Sequence, residues 1–336
     1  MLINGATMKA ALQERYGPPE VVRVAEVERP VAGDGEVLVR IEAASVNRAD
    51  LDGLGPRPGF VRPFIGLRAP RNQRMGIDVA GVVDSVGPNV SGFKPGDEVF
   101  ADLFGHTQGA FAEFVSAPER KFAAMPPGMT FEDAATLPHS AVLALQGLRL
   151  RGGRTIKPGD KVLVVGASGN VGPFAVQIAR SMGAEVTGVC STSKMEFVRS
   201  LGVDHVIDYK TVDYTKAGTR YDWIVDTDSH NPILSVRRAL NRNGVYVALG
   251  GSTVPLLSGI IVGPLISLAS DKFTGLMLWW KPFDPDDIAT LKDLIAAGKV
   301  KPVIDRPPRS RRPCSARIAE CGRVAASSND VAAGIS

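Results

Sequence analysis

The chain has 336 residues, which is long enough for two domains with substantial cores. Its hydrophobic content of 44% and charged content of 22% are ordinary for a globular protein. The formal net charge of +4 comes from residues 306–336, where six arginines accompany Glu320 and Asp330, so the rest of the chain is neutral. This distribution argues against a nucleic-acid partner.

The cysteines and the N-terminus indicate the compartment. Cys190, Cys314 and Cys321 are too few and too unevenly spaced for a disulfide framework or a four-thiolate zinc site. This usage favours a reducing cytoplasm. The first residues contain no long apolar run behind a basic cluster, so we expect no signal peptide, and Met8 is a candidate natural start.

The N-terminal half has short strand signals separated by turns. Apolar and β-branched runs bounded by Gly, Pro and Asp predict strands at 36–46, 78–87, 93–100 and 110–118. These strands predict an irregular all-β domain. A helical pattern begins at Thr130, which is a candidate N-cap with Asp133 three residues later.

Strands and helices alternate from Asp160 onwards. Near-continuous apolar runs predict buried parallel strands, and each is followed by a helical segment. Right-handed crossovers then give an α/β fold with a doubly wound parallel sheet. The predicted strands are 161–165, 185–190, 205–208, 222–226 and 245–249, and the predicted helices are 172–183, 194–202 and 233–241.

Residues 243–270 carry no charge and are long enough to span a bilayer. Several glycines and prolines inside the segment would break a helix repeatedly. A buried strand followed by an apolar loop and a helix explains the segment better, so we expect no membrane span.

A glycine turn separates the first of these strands from the first helix. Glycines spaced three apart allow a tight turn and a close approach of the backbone to a pyrophosphate, next to a helix N-terminus. The position within a strand–turn–helix unit makes this signal stronger than the glycines alone. The expected dinucleotide contacts are Gly166, Ser168, Gly169, Asn170, Val171 and Gly172.

The second strand of this unit ends without the carboxylate that usually accepts a hydrogen bond from the ribose of NAD. Ser191, Thr192 and Lys194 occupy the position instead. Hydroxyls and an ammonium group suit the 2′-phosphate of NADP, so we predict NADPH as the cofactor. In an alternative interpretation, Ser193 caps the next helix and Lys194 is only solvated.

Several motifs together resemble the medium-chain dehydrogenase/reductase superfamily, and specifically its zinc-independent quinone oxidoreductase branch. The resemblance extends over about residues 8–305, and the motifs say less about the substrate than about the family. They are "SVNRAD" (45–50), "GIDVAGVVDSVG" (76–87), "FKPGDEVF" (93–100), "IKPGDKVLVVGASGNVG" (156–172) and "VIDY" (206–209).

The resemblance implies a GroES-like catalytic domain and a Rossmann domain, with the nicotinamide in the cleft between them. The implied boundaries are 8–130, completed by about 281–306, for the first domain and 131–280 for the second. Asn47 would face the cleft, and Asp50 would brace its loop. Lys194 and Tyr209 would lie near the adenosine phosphate, and Leu249 and Gly250 near the nicotinamide ribose. The superfamily commonly forms homodimers through the last Rossmann strand, here near 273–280.

Zinc alcohol dehydrogenases of the superfamily have a cysteine near the position of Asn47 and Gly-His-Glu where this chain has Gly76, Ile77 and Asp78. Isoleucine cannot bind a metal, and catalytic zinc needs three protein ligands. Residues 94–120 also lack the cysteines of the structural zinc site. His106 and His139 remain as possible ligands but are expected to be polar loop or helix-start residues. We therefore expect no zinc.

Without a Lewis acid, substrates that accept hydride readily are favoured, which are quinones and α,β-unsaturated carbonyl compounds (enones). Asn47 is the candidate hydrogen-bond donor to the developing enolate. In the alternative interpretation, Asn47 has no role in the reaction and only holds its own loop. Some members of the branch have a tyrosine near the nicotinamide, and this chain has no tyrosine between residues 17 and 208. Phe60, Phe64 and several arginines in the 53–73 loop suggest an aromatic or lipid-derived substrate instead.

The C-terminal tail departs from the family. Residues 307–336 are rich in Arg, Pro and Ser without a helical or strand period, so we expect a shifted reading frame or a disordered tail. This departure keeps open a second function, that of a catalytically inactive NADPH-binding sensor or scaffold protein. A zinc alcohol dehydrogenase is a third and less favoured alternative.

Overall fold

The computed structural model describes residues 6–55, 66–105, 109–150, 153–277 and 280–304. The chain forms two compact units. Within the described ranges, the first contains the residues up to 139 together with 302–304, and the second contains those from 140 to 301. The predicted Phe60 and Phe64 of the substrate loop, His106 and the atypical tail 307–336 lie outside the described residues.

The first unit is built from antiparallel strands. β1 and β2 form a two-stranded sheet, and the other five form a sheet in the order β6-β3-β4-β5-β7. The strands are β1 (Thr7–Gln13), β2 (Val22–Glu28), β3 (Glu36–Ser45), β4 (Asp78–Val86), β5 (Glu98–Asp102), β6 (Phe114–Pro118) and β7 (Phe122–Ala124). Two short α-helices, α1 (Arg48–Leu54) and α2 (Phe131–Ala134), also belong to this unit.

Alternation along the strands creates the core of the first unit. Val37, Val39 and Ile41 on β3 are at most 3% exposed, whereas Arg40 between the last two faces solvent; Leu38, on the other face, is also buried. Successive side chains of a strand point to opposite faces, so this pattern buries one face of the sheet. The prediction that the N-terminal part of the chain forms a β domain is confirmed.

The second unit is a doubly wound sheet of six parallel strands in the order β10-β9-β8-β11-β12-β13. Its strands are β8 (Lys161–Val165), β9 (Glu185–Cys190), β10 (His205–Asp208), β11 (Tyr221–Asp226), β12 (Leu240–Ala248) and β13 (Phe273–Leu276). Its helices are α3 (Ser140–Gly147), α4 (Gly172–Ser181), α5 (Met195–Ser200), α6 (Ile233–Arg238), α7 (Thr253–Ala269) and α8 (Pro285–Ala296). The predicted fold class is confirmed.

The chain reverses its direction of winding between β8 and β11, which are neighbours in the sheet. Ligands of open parallel sheets bind outside the carboxyl ends of the strands at such a reversal point. The loops that follow β8 and β11 are therefore the part of this unit where a dinucleotide is expected.

The helical pattern predicted from Thr130 is interrupted. α2 ends at Ala134 and α3 begins at Ser140. Pro138 disfavours helical backbone at the residue before it, so a break between the two helices is expected physically. The break also coincides with the division between the two units, since His139 belongs to the first and Ser140 to the second.

The apolar segment 243–270 forms β12, a loop and the 17-residue helix α7. Glycine and proline do not break α7 as the sequence suggested. A Cβ at Gly263 would lie 2.6 Å from the carbonyl oxygen of Thr274, so the glycine allows the helix to lie directly against β13. Among the helices of the described ranges, none is long and apolar enough to cross a membrane.

The contacts of residues 281–301 group them with the second unit. The resemblance implies that about 281–306 complete the first domain. The polar contacts of Gln146 on α3 explain why 281–301 group with the second unit. Its Nε2 donates to Asp287 Oδ2 on α8 at 2.6 Å, and its Oε1 accepts from the Lys281 amide at 2.9 Å. Gln146 and Asp287 are both buried, so these bonds tie α8 to α3.

Candidate functional site

The glycine turn follows β8 and leads directly into α4. Gly166 has a φ of 77°, and a Cβ there would lie 2.3 Å from Thr227 Oγ1. A Cβ at Gly172 would lie 2.3 Å from the carbonyl oxygen of Gly166. These two glycines are therefore required by the turn itself. Gly169 and Asn170 are exposed at its tip, where backbone could approach a ligand.

The N-terminus of α4 has the properties of an anion site. Val171 is its N-cap and has no side-chain capping bond, and Pro173 occupies the first turn. The free N–H groups at a helix start carry partial positive charge and bind phosphate oxygens. The predicted residues Gly166, Ser168 and Gly169 thus lie in the turn before this helix end, and Gly172 is the first residue of the helix.

The carboxyl ends of β9 and β10 bring the other predicted cofactor residues together. Thr192–Lys194 form one turn of 3₁₀ helix after β9, and the Lys194 amide donates to the Ser191 carbonyl at 2.9 Å. Tyr209 follows β10, its amide donates to the Cys190 carbonyl, and its side chain is 48% exposed. α5 begins after Lys194, so Ser193 does not occupy its N-cap position.

Asp208 lies within the "VIDY" motif (206–209), but the sequence alone predicts no role for it. It ends β10, is buried, and its Oδ2 accepts a hydrogen bond from Thr192 Oγ1 at 2.5 Å. Its Oδ1 accepts from the Lys210 amide at 2.9 Å. The hydroxyl of Thr192 and the Lys210 N–H hold the pKa of this carboxyl below its usual range.

The loops after β11 and β12 meet at the reversal point of the sheet. Thr227 Oγ1 donates to the Val165 carbonyl at 2.9 Å, which ties the loop after β11 to the end of β8. The Leu249 amide donates to the Asp226 carbonyl at 2.8 Å, and the Ser229 amide donates to the Gly250 carbonyl at 3.0 Å. Leu249 and Gly250 therefore lie beside the loop that contacts the glycine turn.

A buried polar chain supports these two loops. Tyr246 OH donates to Asp226 Oδ2 at 3.0 Å and lies 2.9 Å from Ser229 Oγ. Burial raises the pKa of Asp226 to about 6, although the Tyr246 hydroxyl opposes this shift. No sequence motif had singled out these three residues.

In the first unit, Asn47 is buried at the start of α1. Its Nδ2 donates to Asp78 Oδ2 at 3.0 Å and to Ser45 Oγ at 3.3 Å. Its backbone N–H donates to Asp50 Oδ2 at 2.8 Å, and the two residues form a capping box. Both N–H groups of the Asn47 amide thus have protein acceptors, and Asp50 holds the loop.

A cluster of three aspartates and one histidine surrounds Asn47. Asp78 and Asp102 are directly opposite each other on β4 and β5, and both are 0% exposed. The His139 amide donates to Asp78 Oδ1 at 3.1 Å, and His139 Nδ1 lies 3.1 Å from Asp102 Oδ2. The sequence predicts His139 as a polar loop or helix-start residue, and no motif in it indicates the buried Asp102.

The pKa values of this cluster follow from burial. Burial raises the pKa of Asp50 to about 7, and the hydrogen bond from the Asn47 amide only partly opposes this. Burial, and then the nearby Asp102, raise the pKa of Asp78 well above its usual range. Two carboxylates that share a buried site favour retention of a proton.

Ile77, at a position where the related zinc alcohol dehydrogenases have a histidine, offers no donor atom to a metal. Ile77 has an apolar side chain and is 1% exposed, and the Asn47 amide donates its protons within the cluster. Zinc requires three convergent donors in its catalytic sites. Over the described ranges, His, Cys, Asp and Glu side chains form no group of three arranged to hold a metal ion.

Two family models match the chain. The alcohol dehydrogenase GroES-like domain matches residues 33–127, and the zinc-binding dehydrogenase domain matches residues 170–296. Together they cover most of both units described above.

Curated relatives are similar over nearly the whole chain. The human NAD(P)H oxidoreductase RTN4IP1, mitochondrial, is 34% identical over 90% of this chain and 83% of its own length. The quinone-oxidoreductase QR1, chloroplastic, of Triphysaria versicolor is 31% identical over 90% of this chain and 91% of its own length. The 2-methylene-furan-3-one reductase of Solanum lycopersicum is 31% identical over 89% of this chain and 71% of its own length.

A solved structure of the quinone oxidoreductase from Coxiella burnetii superposes with a TM-score of 0.78. It is 25% identical, and the match covers 95% of this chain and 96% of that one. The chain therefore belongs to the medium-chain dehydrogenase/reductase superfamily of oxidoreductases, within its quinone oxidoreductase-like branch.

Proposed function

We propose that this protein transfers hydride from NADPH to a quinone or an α,β-unsaturated carbonyl compound. The observation that carries the proposal is the glycine turn before α4, together with Ser191 and Lys194 where an NAD-preferring site has a carboxylate. The curated relatives include an NAD(P)H oxidoreductase, a quinone oxidoreductase and a reductase of a furanone that carries a methylene group. Their names support the same class of reaction.

The residues present fit a nicotinamide dinucleotide. The exposed tip of the glycine turn and the α4 N-terminus would hold the pyrophosphate. Lys194 and Ser191 would bind the adenosine phosphate, with Tyr209 beside it, and Leu249 and Gly250 would line the nicotinamide ribose. When bound, the nicotinamide supplies the hydride, and the protein supplies binding and orientation.

The proposed substrate class follows from the same donor set. Ketone reduction benefits from a metal that polarises the carbonyl, and the side chains around Asn47 do not converge on a metal. Quinones and enones accept hydride without such assistance because the negative charge is delocalised onto oxygen. Hydrogen-bond donors at that oxygen then stabilise the developing charge.

Asn47 is the proposed donor to that oxygen. Its two amide protons have unequal acceptors, since the bond to Asp78 is 3.0 Å and the bond to Ser45 is 3.3 Å. The longer bond is the weaker one. A substrate oxygen that approaches the N–H directed at Ser45 would replace that weaker acceptor, while Asp78 continues to accept the other proton. Asp50 acts as a positioning residue through the backbone of Asn47.

We also propose a homodimer that pairs through β13. This strand is at the edge of the sheet as described. Along α7, Ile261, Leu265 and Leu268 are 66%, 61% and 86% exposed and lie at helical spacing on one face. Size-exclusion chromatography with light scattering should give the mass of two chains, and Leu265→Glu should give one. A wild-type mass of one chain contradicts this assembly.

The test of the function begins with binding. NADPH and NADH are titrated into purified protein and followed by nucleotide fluorescence, with Lys194→Glu as the variant. Lys161→Glu is the matched control, because Lys161 begins β8 at the opposite end of the sheet from the glycine turn. We expect Lys194→Glu to bind NADPH at least tenfold more weakly than the wild type, because a repulsive charge replaces an attractive one. Lys161→Glu should bind NADPH as the wild type does.

Turnover is then measured as NADPH oxidation with benzoquinones and with simple enones. Oxidation that requires one of these acceptors supports the proposal. Tight NADPH binding without acceptor-dependent oxidation would instead favour the sensor or scaffold function. If the wild type binds neither nucleotide, the cofactor assignment is wrong.

A further inference from the structure

Thr192 lies at the predicted adenosine end of the cofactor site, but its hydroxyl proton is already committed. Thr192 Oγ1 and Asp208 Oδ2 are 2.5 Å apart, which is at the short limit for a bond between a hydroxyl and an ionised carboxylate. Asp208 also accepts from the Lys210 amide. Both oxygens of the carboxylate therefore have donors within the protein.

The direction of this hydrogen bond follows from charge. The Thr192 hydroxyl and the Lys210 N–H lower the pKa of Asp208, so the carboxyl is ionised at neutral pH and can only accept. A threonine hydroxyl has one proton and two lone pairs. Thr192 therefore presents only an acceptor to a ligand, although its side chain is exposed.

The two nicotinamide dinucleotides differ at this position in the hydrogen bonds they need. The ribose 2′-hydroxyl of NADH can donate a proton to an acceptor oxygen. The 2′-phosphate of NADPH carries negative charge and needs donors or cations. The pair Thr192–Asp208 suits the hydroxyl, whereas Lys194, on the same 3₁₀ turn, suits the phosphate.

We infer that Asp208 is a specificity-determining residue that lowers the preference for NADPH over NADH, by taking the Thr192 proton and by placing a negative charge beside the ribose. The inference rests on the proposed cofactor function. It assigns opposite effects to two residues on adjacent strand ends, Lys194 after β9 and Asp208 at the end of β10. The protein accordingly uses both nucleotides, with a preference smaller than Lys194 alone would produce.

The test compares dissociation constants for NADPH and NADH in the wild type and in Asp208→Asn. The asparagine retains the size of the side chain, removes its charge and can donate to Thr192, whose proton then becomes available to the phosphate. We expect the dissociation constant for NADPH to fall about three- to tenfold and that for NADH to change less than twofold. A purely structural role for Asp208 would shift both constants together and leave their ratio unchanged.

Asp204→Asn is the matched control. Asp204 immediately precedes β10 and accepts a hydrogen bond from the Val186 amide at 2.7 Å. It lies about 13 Å along the strand from Asp208, beyond the distance over which exposed charges interact at physiological salt. This variant has the same change of charge and should leave the ratio of the two constants at the wild-type value.

Thr192→Val provides an independent measurement, because it removes the acceptor and retains the shape. NADH should bind about threefold more weakly, and NADPH should bind as in the wild type. A larger loss for NADPH than for NADH would show that Thr192 donates to the phosphate and would overturn the inference. If the wild type binds both nucleotides but Asp208→Asn leaves the ratio of the two dissociation constants unchanged, the inference is also overturned. Failure of the wild type to bind either nucleotide overturns the proposed function and the inference together.

Discussion

Asp78 and Asp102 lie directly opposite each other on β4 and β5 without any exposed surface, and His139 joins them. The backbone N–H of His139 donates to Asp78, and its ring nitrogen lies 3.1 Å from Asp102. Asp78 in turn holds the amide of Asn47 at 3.0 Å. The orientation of the proposed donor thus depends on a buried chain of four residues joined by three contacts.

Removal of the His139 ring should destabilise the first unit. His139→Ala leaves the Asp102 carboxylate buried without the imidazole that faces it. A buried polar group left without its hydrogen-bond partner costs about 1–3 kcal/mol, and the cavity left by the ring adds to this loss. The midpoint of urea unfolding should fall accordingly.

His205→Ala is the matched control for this measurement. His205 Nε2 also lies 3.2 Å from a carboxylate, that of Glu185, but the two side chains are 63% and 41% exposed. Exposed pairs of this kind contribute at most about 1 kcal/mol. Equal losses in the two variants would contradict the structural importance of the buried cluster.

The contribution of Asp50 to stability should decrease as the pH rises from 4 to 7. Its pKa is about 7 in the folded protein and 3.8 for the free side chain. Below pH 4 the carboxyl is protonated in both states, and between these values only the folded state retains the proton. Each pH unit in this window then removes at most about 1.4 kcal/mol of the free energy of unfolding.

Asp50→Asn should flatten this dependence, since the amide does not titrate. The measurement is the difference between the wild-type and variant free energies of unfolding at pH 5 and at pH 8. The wild type should lose stability relative to the variant at the higher pH. If the wild type and the variant differ in free energy of unfolding by the same amount at pH 5 and at pH 8, the titration of Asp50 does not contribute to stability.

Two glycines of the turn should separate folding from binding. In Gly172→Ala the new Cβ would meet the Gly166 carbonyl oxygen at 2.3 Å, so the backbone must shift, at a cost of about 2 kcal/mol. In Gly169→Ala the nearest atom is 3.3 Å away, so stability should change by less than about 1 kcal/mol. The measurement is thermal unfolding of both variants in the absence of nucleotide.

Both variants should nevertheless bind NADPH about tenfold more weakly or worse, because Gly169 is exposed where the pyrophosphate is expected to approach the backbone. Fluorescence titration measures this loss. Normal affinity in Gly169→Ala would exclude that tip as the pyrophosphate contact.

Removal of metal should leave the activity intact. The Asn47 cluster satisfies its donors internally, and its side chains do not converge on a metal ion within the described ranges. Dialysis against a chelator should therefore change kcat by less than twofold, and elemental analysis should find far less than one zinc per chain. Activity that falls on chelation and returns with zinc contradicts the proposed zinc-free mechanism.

The sequence by itself determined the parallel sheet and the position of the glycine turn. These features rest on local signals, namely continuous apolar runs of four to six residues and glycines spaced three apart, which act within one strand–turn–helix unit. The same local patterns indicated Ser191, Thr192 and Lys194 after β9. They did not reveal that the Thr192 proton is donated to Asp208, because β9 and β10 must first pair.

Only the tertiary structure decided which polar side chains meet. His139 and Asp78 are 61 residues apart in the chain, and His139 and Asp102 are 37 apart, yet all three are buried together. Nothing in the local pattern around each residue distinguishes a buried carboxylate from a solvated one. Burial arises when β4 and β5 align and the chain returns at His139, and this long-range pairing raises the pKa of Asp78 and fixes Asn47.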